Sequence, residues 1–72
     1  MFGDRDRLLR ARLREVVVVT MLDGSAWRGV LYATDARTVV LREAEAMAEN
    51  ARGPVDGELL LFRDRIDYMQ RP

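Results

Sequence analysis

The sequence contains few of the side chains that enzymes use for nucleophilic or acid–base chemistry. It has no cysteine and no histidine, which excludes thiol nucleophiles, imidazole bases and the familiar zinc sites. Hydroxyl side chains fall in segments that read as strands or turns, at Thr20, Ser25, Thr34 and Thr38. The acids Glu43, Glu45 and Glu49 could hold a hard cation, but acids on an exposed segment are usually solvated. We therefore expect no enzymatic activity, no cofactor and no bound metal.

Arginine is the charged side chain best suited to bind a ligand in this sequence. All 12 basic residues are arginine, whose planar guanidinium stacks on nucleic-acid bases and binds phosphate through two parallel hydrogen bonds. A GC-rich bacterial or phage genome would produce the same bias and is the simpler explanation. Five arginines precede the first predicted strand: Arg5, Arg7, Arg10, Arg12 and Arg14. They form a candidate nucleic-acid surface, with a solvated helix face as the alternative.

The length of the chain limits how it can be stabilised. A chain of 72 residues makes one small domain, which buries only about 60% of the surface that its unfolded form exposes. Without disulfides or a metal, self-association is the remaining way to stabilise it. No apolar run reaches the roughly 18 residues of a membrane span, and the start, MFGDRDR, does not resemble a signal peptide. We expect a soluble cytoplasmic protein that binds no membrane.

A helix over residues 4–15 is the first predicted element. Asp4 is a suitable N-cap because its carboxylate can accept hydrogen bonds from the first turn. Leu9 and Leu13 lie four residues apart, so they form one narrow apolar stripe. The other face is mostly arginine. This helix should therefore lie on the rest of the domain rather than inside it.

Two strands joined by a tight turn follow the helix. The segment VVVVTML at 16–22 is β-branched and aliphatic, which predicts a strand. Both of its faces are apolar, which predicts burial on two sides, by the core of the sheet and by a helix or a neighbouring subunit. Asp23 and Gly24 predict a hairpin with a type I′ turn. The second strand should then run from about residue 25 to residue 34.

The second strand carries a glycine in its middle. Alternation places one set of residues toward the core: Trp27, Gly29, Leu31 and Ala33. A glycine among large inward side chains marks a place where a strand bends or another backbone comes close. We expect Gly29 to bend the strand so that it contributes to both layers of a small barrel, with Trp27 in the core.

The remainder of the chain predicts three more strands. They are expected at 38–42, 58–63 and 65–69, with turn residues GPVDG at 53–57 and a bend at Asp64. The Ala- and Glu-rich segment 43–52 favours a helical turn or two, with an extended strand as the alternative. The sequence thus predicts a mostly β fold, in which a short N-terminal helix precedes a five-stranded, strongly bent, SH3-like small barrel over residues 16–69.

This arrangement resembles the Sm/LSm family. The first motif of that family has alternating apolar residues, Asp/Asn-Gly, an aromatic residue, a glycine and a later Asp. It is matched by Val17, Val19, Met21, Asp23, Gly24, Trp27, Gly29, Leu31, Asp35, Val39 and Leu41. The second motif, Arg-Gly with spaced apolar residues, is represented by Arg63, Ile66 and Met69. The resemblance implies that residues 1–72 form a single Sm-like domain.

Sm-like proteins bind RNA with two loops that line a central pore. The resemblance assigns these positions to Asp35, Arg37, Thr38, Arg63 and Asp64. Arg37 could stack on a base where the family has an aromatic residue, and Arg63 would form the other wall. Thr38 falls near the family's Asn and offers a single hydroxyl, which implies lower base specificity. Asp64 replaces the glycine of the second motif, so the pore site is altered.

A structural role for the same residues is the alternative. In that interpretation Asp35 caps the turn, and Arg63 pairs with Asp64 or Asp67 at a subunit interface. The resemblance also implies a homo-oligomeric ring, hexameric or heptameric, in which strand 58–63 of one subunit pairs with strand 65–69 of the next. Such pairing would remove two exposed sheet edges.

Two functions are consistent with these observations. The first is binding of single-stranded RNA at the ring pore with low base specificity. The second is a non-catalytic assembly or protein-interaction scaffold, for example phage-encoded, that kept the fold and lost RNA binding.

Overall fold

The chain forms one helical turn followed by a bent antiparallel sheet. The computed structural model describes residues 7–47 and 54–72. Over these residues there is a helical turn, α1 (residues 7–10), and five strands. The strands are β1 (Val16–Met21), β2 (Ala26–Thr34), β3 (Thr38–Ala46), β4 (Glu58–Phe62) and β5 (Ile66–Gln70), with a 3-10 helix (Arg63–Arg65) between β4 and β5. The predicted fold class is confirmed.

The sheet is bent but not closed. Its strand order is β4-β3-β2-β1-β5, with every neighbouring pair antiparallel. Within the described residues, β4 therefore pairs only with β3, and β5 only with β1. Each of these two edge strands presents one row of backbone N–H and C=O groups that the sheet itself does not use.

The core lies on the inner face of the bent sheet. Among the described residues, the buried apolar side chains are Val17, Val19, Leu31, Val39, Leu41, Ala44 and Leu61. Val17 and Val19 on β1, and Val39 and Leu41 on β3, lie two positions apart, as expected when one face of a strand is buried. Leu9 and Leu13 pack against this core from the N-terminal segment. Complete burial of one such aliphatic side chain stabilises the fold by about 1.5–3 kcal/mol.

Gly29 lies where the backbone of β3 comes close to β2. A Cβ atom at this position would lie 3.0 Å from the carbonyl oxygen of Arg42 and 3.1 Å from the Cα atom of Ala44. The pairing of β2 with β3 also shifts by one residue between Arg28 and Val30, which is a β-bulge that bends the sheet. The sequence prediction of a bend with a close backbone approach agrees with this geometry.

β3 continues well beyond its predicted end. Residues 43–46 belong to the strand, so the favoured helix is wrong there, and the rest of segment 43–52 lies largely outside the described residues. Ala44 is completely buried, Glu43 has a φ of 53° at the bulge, and the N–H of Met47 donates to the carbonyl of Ala26 at 2.9 Å. Burial and strand pairing outweigh the helix propensity of Ala and Glu.

The hairpin between β1 and β2 is present, but its turn differs from the predicted type I′. Gly24 has a φ of 91°, whereas Asp23 is not among the residues with positive φ. The N–H of Gly24 donates to the carbonyl of Met21 at 3.0 Å, and the N–H of Met21 donates to the carbonyl of Ser25 at 2.7 Å. These bonds define a three-residue loop that ends in a glycine bulge, which requires positive φ only at the glycine.

The N-terminal helix is shorter than predicted at its C-terminal end. It covers residues 7–10 and continues as turns through residue 14, while residues 4–6 lie outside the described part of the chain. Arg14 has a φ of 74°, and this left-handed conformation ends the helix. The N–H of Arg14 then donates to the carbonyl of Leu31 at 2.6 Å, which fixes the segment to β2.

Two burial predictions are only partly correct. The outer face of β1 is not fully covered within this chain, since Val16 is 39% exposed and Val18 is half-buried. Trp27 is also half-buried and packs against the edge of the core rather than within it. These residues lie on β1 and β2, which are inner strands of the sheet, so their exposed surface belongs to a face of the sheet that this chain does not fully cover.

Candidate nucleic-acid interface

The loop between β2 and β3 is organised by one carboxylate. Oδ1 of Asp35 accepts hydrogen bonds from the N–H of Arg37 at 2.8 Å, the N–H of Thr38 at 2.7 Å and the hydroxyl of Thr38 at 2.9 Å. These bonds stabilise the ionised carboxylate, so they lower the pKa of Asp35 below its usual value, with the bond from Arg37 as the largest cause. Asp35 therefore caps the turn, as the structural interpretation of the sequence predicted.

Thr38 is part of the same internal network. Its hydroxyl proton is donated to Asp35, and its carbonyl accepts from the N–H of Asp35 at 3.0 Å and from the hydroxyl of Thr34 at 3.1 Å. A hydroxyl has one proton to donate, so this geometry leaves Thr38 only an acceptor for a ligand. Thr38 is thus poorly placed to distinguish bases by donating a hydrogen bond.

Arg63 connects the two loops that the sequence assigned to the site. It begins the 3-10 helix after β4, and its N–H donates to the carbonyl of Arg37 at 2.8 Å. Its Nη1 atom donates to the carbonyl of Asp35 at 2.6 Å, across 28 positions of sequence. One backbone oxygen of the first loop therefore holds the guanidinium of Arg63 and another holds its backbone N–H, so the two loops form one unit.

An open cleft lies between these loops. Its volume is about 820 Å³, and it is lined by Ala36, Arg37, Phe62, Arg63, Asp64 and Arg65. We refer to it as the loop cleft. Arg37, Asp64 and Arg65 are exposed, and Arg63 is half-buried. The cleft combines three guanidinium groups with one carboxylate and one exposed aromatic ring.

This chemistry suits a planar, anionic ligand. Guanidinium groups bind phosphate oxygens and stack on bases, and an exposed ring such as Phe62 offers a further stacking face. The five predicted site residues lie in or directly behind the loop cleft, with Asp35 and Thr38 as its scaffold. The sequence reasoning missed Phe62 and Arg65, although an aromatic residue next to alternating arginines in FRDR was a usable signal.

The N-terminal arginines form a separate surface. Arg5 lies outside the described residues. Of the N-terminal arginines that the structure describes, none lines the loop cleft. Arg12 is 3.7 Å from a carboxylate oxygen of Glu15, and the guanidinium of Arg14 lies 5.8 Å from the ring centre of Tyr32. These contacts are typical of a solvated helix face.

A cross-strand cluster stiffens the outer face of the sheet near this helix. The guanidinium of Arg42 on β3 lies 3.4 Å from the ring centre of Tyr32 on β2. It also donates two hydrogen bonds, at 3.0 and 2.8 Å, to Oε2 of Glu58 on β4. All three side chains are exposed, so we interpret the cluster as local support for the sheet.

The described part of the chain offers neither a metal site nor a membrane-spanning helix. No group of three or more potential metal-ligating side chains occurs there. No described helix is long and apolar enough to cross a membrane.

Comparison with known proteins finds similarity in structure but not in sequence. No protein-family model and no curated protein matches the sequence. The SmAP1 heptamer of Pyrobaculum aerophilum matches with a TM-score of 0.82 and 19% identity, over 93% of this chain and 90% of that chain. The Sm protein of Pyrococcus abyssii, in complex with a uridine heptamer, matches with a TM-score of 0.81 and 22% identity, over 92% and 94% of the two chains.

A third structure supports the same assignment. The SmAP (LSm) protein of Methanococcus vannielii matches with a TM-score of 0.78 and 23% identity, over 89% of each chain. The chain therefore has the Sm fold, which confirms the resemblance inferred from its sequence.

Proposed function

We propose that this protein assembles into a homo-oligomeric ring and binds single-stranded RNA with the loop cleft at the centre of that ring. The observation that carries the proposal is the pair of hydrogen bonds from Arg63 to the loop at Asp35 and Arg37. These two hydrogen bonds fix the loops against each other, so that the guanidinium groups of Arg37 and Arg63 line one preorganised cleft. The Pyrococcus abyssii neighbour, whose structure contains a uridine heptamer, supports the same class of ligand.

Ring assembly is supported by the two free edges of the sheet. β4 and β5 are each five residues long, so they can pair without leaving an overhang. On β4, Leu60 is 55% exposed and Phe62 is 59% exposed, and on β5 Tyr68 is 50% exposed. An apolar sheet edge of this kind is an aggregation hazard unless it is covered. Pairing β4 of one subunit with β5 of the next would cover both edges and continue the sheet around the ring.

Low base specificity is part of the proposal. Thr38 has already donated its hydroxyl proton within the loop, and the arginines recognise phosphate and base faces that all nucleotides share. Binding should therefore depend more on salt than on sequence. The structurally similar Sm proteins do not favour the alternative function as an assembly scaffold. A negative result in the following experiment would point to that function instead.

The test of RNA binding is fluorescence anisotropy of labelled oligouridine and oligoadenine at low and moderate salt. The protein must first be freed of copurified nucleic acid. We expect similar affinity for the two oligonucleotides at low salt and weaker binding as salt rises. Arg37→Ala and Arg63→Ala should each weaken binding by about tenfold or more. Arg28→Ala is the matched control, because Arg28 is an exposed arginine on β2 outside the loop cleft.

Two results would contradict RNA binding at the loops. An equal loss of RNA affinity in Arg28→Ala and Arg63→Ala would indicate that RNA is attracted non-specifically by positive charge. No binding at low salt would leave an assembled scaffold without RNA, and the search for partners would turn to proteins.

The test of assembly is the molar mass of Leu60→Glu in solution. A charge on this exposed residue of β4 should prevent edge pairing and produce monomers, because an unpaired carboxylate would have to be buried. Met47→Glu is the control, since Met47 is 48% exposed and follows the end of β3, where its N–H donates to the carbonyl of Ala26 on β2 rather than to an edge strand. Assembly that survives Leu60→Glu would argue against the β4 edge as the interface.

A further inference from the structure

The chain contains two Asp-Gly pairs, which differ in their hydrogen bonding. They are Asp23-Gly24, between β1 and β2, and Asp56-Gly57, immediately before β4. All four residues are exposed, and both glycines have a positive φ, 91° at Gly24 and 76° at Gly57. Exposure and glycine conformation therefore do not distinguish the two pairs.

An Asp-Gly pair can react with itself. The backbone nitrogen of the glycine attacks Cγ of the aspartate, one molecule of water leaves, and a five-membered succinimide ring forms. Glycine favours this step because it has no Cβ atom to hinder the approach of the carboxyl group. The step requires a protonated carboxyl group that is free to rotate and an amide nitrogen that is not held by another acceptor.

Hydrogen bonds hold both reacting groups of the first pair. Oδ1 of Asp23 accepts from the N–H and the hydroxyl of Ser25, at 2.9 and 2.6 Å, which restricts rotation of the carboxylate. These bonds, chiefly the one from the hydroxyl, lower the pKa of Asp23 below its usual value, so less of the reactive protonated form is present. The N–H of Gly24 donates to the carbonyl of Met21 at 3.0 Å. The first pair is therefore protected.

The second pair lacks these contacts. Within the part of the chain that the structure describes, neither the carboxylate of Asp56 nor the N–H of Gly57 takes part in a hydrogen bond or an ion pair. The chain is fixed on both sides of the pair. The N–H of Val55 donates to the carbonyl of Ala44 at 2.7 Å, and Glu58 begins β4. Two unconstrained residues thus lie between two anchored ones.

Water reaches the second pair through an open cleft. The cleft has a volume of about 390 Å³ and is lined by Arg42, Glu43, Val55, Asp56, Gly57 and Glu58. When water attacks the α-carbonyl carbon of the succinimide, the bond from that carbon to the glycine nitrogen breaks. The chain then continues through Cβ and Cγ. The product is isoaspartate, which has the same mass as aspartate and one additional carbon atom in the backbone.

We propose that Asp56 is a modification site, which converts to isoaspartate through a succinimide with Gly57 while Asp23 is protected by its turn. The conversion releases one water and consumes one, so it requires no other reactant. The product carries a free α-carboxylate, which is the group that isoaspartyl methyltransferases methylate with S-adenosylmethionine. The modified protein is therefore a substrate for this class of enzyme, and the added backbone atom lies directly before an edge strand.

Trypsin separates the two pairs into the peptides EVVVVTMLDGSAWR (15–28) and GPVDGELLLFR (53–63). We would age the protein in mildly acidic buffer at physiological temperature, both folded and in guanidinium chloride. Liquid chromatography with electron-transfer fragmentation then measures isoaspartate in each peptide, and an unaged sample gives the conversion during digestion. Isoaspartate should accumulate several-fold faster at Asp56 than at Asp23 in the folded protein. The two rates should be similar in the denatured chain, where the hydrogen bonds are lost.

Two variants test the reason for the difference. Ser25→Ala removes the hydroxyl bond to Asp23, so conversion at Asp23 should rise several-fold while conversion at Asp56 stays the same. Asp56→Glu is the matched control. It keeps the charge but would need a six-membered ring, which forms far more slowly, so the isomer of peptide 53–63 should disappear. Methyl transfer from labelled S-adenosylmethionine to the aged protein should fall with it. Far-UV circular dichroism checks the fold of each variant.

Three results would overturn the inference. They are equal or faster conversion at Asp23 in the folded protein, methyl transfer that persists in Asp56→Glu, and no change at Asp23 in Ser25→Ala. These measurements involve neither RNA nor the oligomeric state. Their outcome is therefore independent of the tests of RNA binding and ring assembly.

Discussion

Replacing Gly29 with alanine tests whether the sheet is bent by a close backbone contact. The added Cβ would lie 3.0 Å from the carbonyl oxygen of Arg42, 3.1 Å from Cα of Ala44 and 3.2 Å from Cβ of Ala44. Two of these three atoms belong to the backbone of β3, so no side-chain rotation can relieve those two contacts. β3 must move away from β2, and the bulge and the buried Ala44 must move with it.

The expected magnitude follows from two opposing effects. Overpacking of a tight interior costs about 1–3 kcal/mol. Gly29 is not among the glycines with positive φ, so alanine also removes the entropic cost of ordering a glycine, which is a gain of about 0.4–1 kcal/mol. We therefore expect Gly29→Ala to lower the free energy of unfolding by about 1–2 kcal/mol.

The assay is urea denaturation at one fixed protein concentration, because assembly makes stability depend on concentration. Ala44→Gly provides the second variant. Alone it should cost about 1–2 kcal/mol, through the lost methyl group and the flexibility of glycine. Combined with Gly29→Ala it should cost less than the sum of the two, because one of the three close contacts disappears. A Gly29→Ala protein as stable as the wild type, or strict additivity in the double variant, would refute the close-contact explanation.

Two further predictions concern the charged groups at the loops. Hydrogen bonds, chiefly from the N–H of Arg37, lower the pKa of Asp35 below 3.8 in the folded protein. The ionised carboxylate therefore stabilises the fold at pH values above its unfolded-state pKa, and this stabilisation is lost as the pH falls through the lower pKa of the folded state. The urea concentration at the midpoint of unfolding should therefore decrease when the pH is lowered below about 4, and it should decrease less in Asp35→Asn. An identical pH profile in that variant would show that Asp35 is not the carboxylate responsible. Asp64→Asn removes an exposed carboxylate from the loop cleft, so it should tighten oligouridine binding several-fold at low salt and have little effect at high salt, as measured by anisotropy. Unchanged or weaker binding at low salt would show that Asp64 does not face the RNA.

Much of the sheet could be predicted because its signals are local. The alternation around Val17 and Val19 identifies β1, and the glycine at position 29 among large residues identifies the bend. The extension of β3 could not be predicted in this way. Its residues favour a helix, and what makes them a strand is the burial of Ala44 against Gly29, a contact between positions far apart in sequence.

Residues of the candidate site could be proposed from the sequence, but the contacts that connect them could not. Asp35 followed by a short polar link is a recognisable turn cap, and the structure contains that cap. The hydrogen bond from Arg63 to the carbonyl of Asp35 spans 28 positions, and no pattern in a single sequence indicates it. The position of Arg65 in the loop cleft depends on the hydrogen bond from the N–H of Leu22 to its carbonyl, which is likewise a tertiary contact.

Native mass spectrometry with a short oligouridine, at low salt, tests the central proposal most directly. A site on the axis of a ring is shared by all subunits, so we predict a single closed oligomer that binds one oligonucleotide, and the loss of the oligonucleotide but not of the oligomer in Arg63→Ala. Monomeric protein, or one oligonucleotide for every subunit, would contradict an RNA site at the centre of a ring.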